Sequence, residues 1–92
     1  MISAFVLVKA EPQRLADLAS ELTELAGVAE VYSVTGDHDL IVVVRVRHHD
    51  DLADVVTGHI AGLDGIVDTR TMVAFKAYSR HDLDSMWSLG AE

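Results

Sequence analysis

An α+β fold, with two helices laid on one face of a four-stranded antiparallel sheet, is what this sequence predicts, and three observations predict it. Four apolar runs of strand length carry the β-branched and aromatic residues that suit a pleated surface. Between the first and second runs, and again between the third and fourth, apolar residues recur instead at helical spacing. The connections are short and marked by glycine or acidic residues, so consecutive elements must lie side by side.

Residues 2–9, ISAFVLVK, make the first strand. Pro12 suits the first turn of the helix that follows, where its missing N–H costs nothing. Leu15, Leu18, Ala19, Leu22, Leu25 and Ala26 form a stripe on a helix of about 12–26, and Gly27 ends it. VAEVYSVT (28–35) is the second strand, Gly36-Asp37-His38-Asp39 turns the chain, and LIVVVRVR (40–47) is the third. Asp50 and Asp51 are N-cap candidates for a second helix, with Leu52, Val55, Val56 and Ile60 as its stripe and GLDG as its stop. IVDTRTMVAFKAY (66–78) is a long fourth strand. The order β-α-β-β-α-β is the ferredoxin-like split arrangement. Ser79 to Asp82 then spell a capping-box pattern, and Leu83, Met86 and Trp87 share a helical face. The expected organisation is one domain over 1–78 and a tail, 79–92, able to form a short amphipathic helix.

Composition bounds the function. Half of the 92 residues are hydrophobic and one is proline, which excludes a disordered chain. There is no cysteine, hence no disulfide framework and no thiolate chemistry. The longest apolar run, Leu40 to Val44, is far short of the roughly 20 residues that cross a bilayer. The N-terminus lacks a basic leader with a cleavage site. A soluble, cytoplasmic domain without a membrane partner is expected. The net charge of −8 repels phosphate backbones, and Arg45 and Arg47 are too few to reverse that field, so no direct nucleic-acid contact is expected.

Two helices cover only one face of such a sheet, and the other should alternate in polarity. Here it does not. Ile2, Ala4, Val6 and Val8 point one way while Phe5 and Leu7 point the other. Leu40, Val42, Val44 and Val46 oppose Ile41 and Val43, and Val67, Val73, Phe75 and Ala77 oppose Ile66, Met72, Ala74 and Tyr78. About six large apolar side chains remain on the uncovered side. Burying each is worth roughly 1.5–3 kcal/mol, which predicts a homodimer formed sheet face to sheet face.

Several residues carry chemistry. Gly36-Asp37-His38-Asp39 has a complete structural explanation, since Gly and Asp favour hairpin connections. It has a chemical one as well: Gly36 admits a ligand close to the backbone, Asp37 and Asp39 accept from an ammonium group, and turn N–H groups hold a carboxylate. Thr69 and Thr71 share one side of the fourth strand, with Arg70 on the other, and two hydroxyls can line a polar pocket. RHHDD (47–51) offers histidine and carboxylate ligands, but neighbouring strand residues face opposite ways, so no metal site is expected. His59 reads as a boundary histidine on the second helix and His81 as exposed. No nucleophile has a base at recognisable spacing and no glycine loop is built for phosphate, so neither a catalytic residue nor a cofactor is expected.

The element order, the run V-x-x-V-x-x-V-T-G-D-H-D-L-I-V-V-V and the segment GIVDTRTMVAFK resemble the effector-binding (RAM) domain of the Lrp/AsnC regulators, over residues 2 to about 78. That family often has an aromatic where this chain has His38. Its full-length members carry an N-terminal helix-turn-helix domain, for which a first strand beginning at Ile2 leaves no room, so the resemblance implies a stand-alone member. It further implies dimers joined through their sheets, assembly of dimers into rings of four or more, and an amino acid or related effector bound between dimers, near the Gly-Asp-x-Asp loop. Carried over by position, the site is Thr35, Gly36, Asp37, His38 and Asp39, with Thr69 and Thr71 aligned by strand position alone. Mixed oligomers with full-length relatives are a further implied partner. Two rival classes stand beside this reading. One is a cofactor-free ferredoxin-like monooxygenase or isomerase using His59 or His38 in a cavity, and the other is metal binding through the histidines.

Overall fold

Alternation decides the centre of the molecule. β1 (Ile2–Ala10) and β3 (Leu40–Val46) pair antiparallel, with Ala4, Val6 and Val8 opposite Val44, Val42 and Leu40, and these six are fully buried. The computed structural model describes residues 1–80. It places β2 (Val28–Ser33) beside β3 and β4 (Ile66–Val73) beside β1, in the antiparallel order β2-β3-β1-β4. The expected α+β, ferredoxin-like architecture is the one observed.

Both helical segments pack on the same side of this sheet. Pro12–Arg14 form a 3-10 turn that runs into α1 (Leu15–Thr23), whose Leu18 and Leu22 are fully buried. α2 (His49–Ala53) buries Leu52 and continues as a π-helical segment, Asp54–Ile60, that buries Val55 and Ile60. These side chains close over the inward residues of β1 and β3 in one apolar core. Each fully buried leucine or isoleucine contributes roughly 1.5–3 kcal/mol. Among the described residues no polar or charged one is buried, so the core asks for no internal hydrogen-bond partners.

Four boundaries differ from the sequence expectation. The first helix ends at Thr23 rather than near residue 26, because its last turn tightens: Glu24 N–H bonds Glu21 O and Leu25 N–H bonds Leu22 O. The second helix is capped by His48 and not by Asp50 or Asp51, which stand in its first turn where carboxylates meet unpaired N–H groups. Its continuation is π-helical, with Ala61 N–H reaching back to Val56 O. β4 stops at Val73 instead of continuing to residue 78. Its neighbour β1 begins at Ile2, so after Ala74 N–H bonds Ser3 O there is no strand left to pair with. Beyond it Phe75 and Tyr78 are exposed, with Lys76 Nζ 5.3 Å from the Tyr78 ring. The expected tail helix with Leu83, Met86 and Trp87, and the reading of His81, lie outside the described residues.

Candidate functional site

The sheet face turned away from the helices is laid out by register. Glu30, Val43, Phe5 and Met72 form one row across β2, β3, β1 and β4. Tyr32, Ile41, Leu7 and Arg70 form the next. Six large apolar or aromatic side chains thus share this face, and among the described residues no helix covers them; Tyr32 and Met72 are each 50% exposed. At one end the face turns polar, with Arg45 3.6 Å from Glu30. Tyr32 donates its hydroxyl to Glu30, and that bond, with the negative charge behind it, holds the phenol's pKa above its usual value.

At the other end stands the loop between β2 and β3. Val34 N–H donates to Asp39 O at 2.9 Å and closes the hairpin. Asp39 then straps the loop to the end of β1: its N–H donates to Val8 O at 2.9 Å, and its Oδ2 accepts from Ala10 N–H at 2.9 Å. Lys9 Nζ reaches Asp37 O at 3.5 Å. The His38 side chain is 16% exposed, with Nε2 3.9 Å from Asp68 Oδ2 on β4. Gly36 has φ 110°, a left-handed conformation suited to glycine, and the space beside its Cα is open.

Under this loop lies a hollow of about 510 Å³, lined by Leu7, Val34, Thr35, Asp37, His38, Ile41 and Arg70. Its size and its combination of three apolar with four polar or charged residues suit a small molecule that carries both kinds of group. Of the residues predicted from sequence, Thr35, Asp37 and His38 line it and Gly36 forms the tip between them. Asp39 does not line it, since its carboxylate is turned onto the β1 backbone. Thr69 and Thr71 do not line it either. They pair with Val8 and Val6, whose side chains are sealed under the helices, and so belong to the opposite face. Sequence reasoning missed Arg70, although the alternation that joined the two threonines already set Arg70 on the other side.

A second hollow, about 280 Å³, lies between the end of α1 and the π-helical segment, lined by Ala26, Gly27, Val46, Arg47, Asp51, Asp54, Val55 and His59. His59 is exposed at its rim. The deep apolar cavity that a histidine-based enzyme needs is therefore not formed around His59. Among the described residues no three or more histidines, cysteines or carboxylates stand where they could hold one metal ion. Nor is any described helix long and apolar enough to cross a membrane.

Comparison with known proteins gives concordant findings. The profile of the Lrp/AsnC ligand binding domain matches residues 3–83. The HTH-type transcriptional regulator FL11 of Pyrococcus abyssi is 35% identical over 77 residues, which cover 82% of this chain and 49% of that protein. The chain spans about half the length of the curated relatives it matches. Among solved structures, TTHA0845 from Thermus thermophilus superposes with TM-score 0.82 at 48% identity, over 87% of this chain and 100% of its own. The feast or famine regulatory protein Rv3291c from M. tuberculosis, complexed with L-methionine, superposes with TM-score 0.72 at 27% identity, over 87% of this chain and 54% of its own.

Proposed function

Because this chain belongs to the family of Lrp/AsnC ligand binding domains, we propose that it is an effector-sensing module that binds a small amino-acid-like molecule in the hollow under the Thr35–Asp39 loop. It works as a homodimer joined through the bare sheet face, and dimers associate further. The observation that carries this reading is the position of the hollow: Leu7 and Ile41 belong both to its floor and to the uncovered apolar face. A second copy laid on that face closes the hollow's open side, so occupancy and assembly are coupled. The effector shifts the assembly by its differential affinity for the two states, and assembly changes effector affinity by the same factor. A longer relative presenting an equivalent face would be accepted in the same way.

Thr35, Gly36, Asp37 and His38 form the seat, and Asp39 acts behind it as a strut. The L-methionine held by the M. tuberculosis relative supports an amino-acid-sized effector for this fold. The test is a titration of the common L-amino acids, following thermal stability and sedimentation of the full chain. At least one should raise the unfolding temperature and change the oligomer distribution, and Asp37→Ala should lose both responses. Silence across the whole set, with Asp37→Ala indistinguishable from the parent, counts against the proposal.

A further inference from the structure

Two opposite charges line the hollow without meeting. The Arg70 guanidinium makes no hydrogen bond or ion pair with any described residue, and the Asp37 carboxylate makes none either. Elsewhere the other cations near this face are engaged: Lys9 with Asp37 O and Arg45 with Glu30. Asp68, the one acid of β4, makes no ion pair with Arg70 and instead faces His38. A guanidinium left open over an apolar floor, in a chain of net charge −8, presents a fork of donors matched to a carboxylate.

We propose that Arg70 is the specificity-determining residue of the hollow: it holds the carboxylate of the effector, while Asp37 takes the ammonium end and Leu7, Val34 and Ile41 receive an apolar side chain. This rests on the hollow being the effector seat. It names the ligand class as free α-amino acids with apolar side chains, and excludes their esters, amides and decarboxylated amines. Lys9 does not compete for the role, since it lies outside the hollow's lining and its ammonium is turned to Asp37 O. Thr69 and Thr71 have no part in it, being on the far face of the same strand.

The experiment is calorimetric titration of the full chain with the best-binding L-amino acid of the common set and with the methyl ester of that amino acid. The parent should bind the ester about tenfold more weakly or worse, as expected when a charge-assisted contact is lost. Arg70→Gln should weaken the acid by about the same factor and leave acid and ester bound alike. Arg70→Lys, which keeps the charge without the fork, should retain part of the preference and serves where the glutamine variant fails to assemble. Failure to bind any amino acid removes the effector-seat reading, and this inference with it. A parent that binds ester and acid equally, or an Arg70→Gln protein that keeps the acid's preference, removes the role of Arg70 while the seat stands.

Discussion

At the residue scale the two loop carboxylates divide the work, and only geometry separates them. In the sequence Asp37 and Asp39 are equivalent members of one Gly-Asp-x-Asp motif, and each reads as turn residue or ligand acceptor. In the structure Asp39 Oδ2 receives Ala10 N–H at 2.9 Å in a part-buried setting, whereas the Asp37 carboxylate has no partner among the described residues. Asp39→Ala leaves a backbone donor unpaired and should cost about 1–3 kcal/mol in denaturant unfolding at fixed protein concentration. Asp39→Asn keeps an acceptor and should cost clearly less. Asp37→Ala, a surface change, should stay within about 0.5 kcal/mol of the parent while losing the effector response. The loop as a candidate site was legible from its residue types. Which carboxylate braces it was not, because that depends on where the end of β1 comes to lie, twenty-nine positions away in sequence.

At the element scale the strands and both helices were legible, and the π-helical stretch of the second was not, for a physical reason. A strand's two-residue alternation leaves a mark that little else imitates, and the buried set Ala4, Val6 and Val8 follows it without exception. Leu52, Val55, Val56 and Ile60 fit an α-helical stripe well, yet Val55 and Ile60, both buried, stand five residues apart across the widened π turn, while Val56 is only partly buried. The two threonines of β4 enter the expected site through the family resemblance, by strand position alone, and alternation sets their neighbour Arg70 on the face that carries the hollow. Close approach of the 3-10 turn before α1 to the loop leading into β4 depends on a glycine. Gly65 has φ 93°, and a Cβ there would stand 2.7 Å from Arg14 Cβ and 2.9 Å from Arg14 Cγ. Arg14 meanwhile donates to Glu21 at 2.7 Å and to Asp64 O at 3.4 Å, and Glu11 N–H donates to Gly65 O at 2.8 Å. Gly65→Ala should therefore lose at least the roughly 1–2 kcal/mol of a left-handed L-residue, with the clash added. Thermal unfolding measures it, and an unaltered midpoint would mean that the Arg14 clamp gives way freely.

At the scale of the whole molecule, the question is what covers Phe5, Leu7, Tyr32, Ile41, Val43 and Met72. Within the described residues both helical segments lie on the other side, and burial of six such groups is worth roughly the whole stability of a small domain before association costs. Phe5 stands in the row between Val43 and Met72 and outside the hollow, so it reports on the face without touching the effector seat. Phe5→Asp buries an unpaired carboxylate in any sheet-to-sheet dimer but leaves the helix-covered core intact. By sedimentation at micromolar concentration the parent should run as a dimer or larger, and Phe5→Asp as a folded single subunit. Charge sets the conditions: each copy carries −8, so raising salt from about 0.02 M to about 0.2 M should tighten the parent's association by screening long-range repulsion. Since the hollow shares Leu7 and Ile41 with this face, the single subunit should also bind effector more weakly, although Phe5 touches none of it. A parent that remains one compact subunit at both salt concentrations, with effector affinity equal to that of Phe5→Asp, would falsify the coupling between the bare face and the seat.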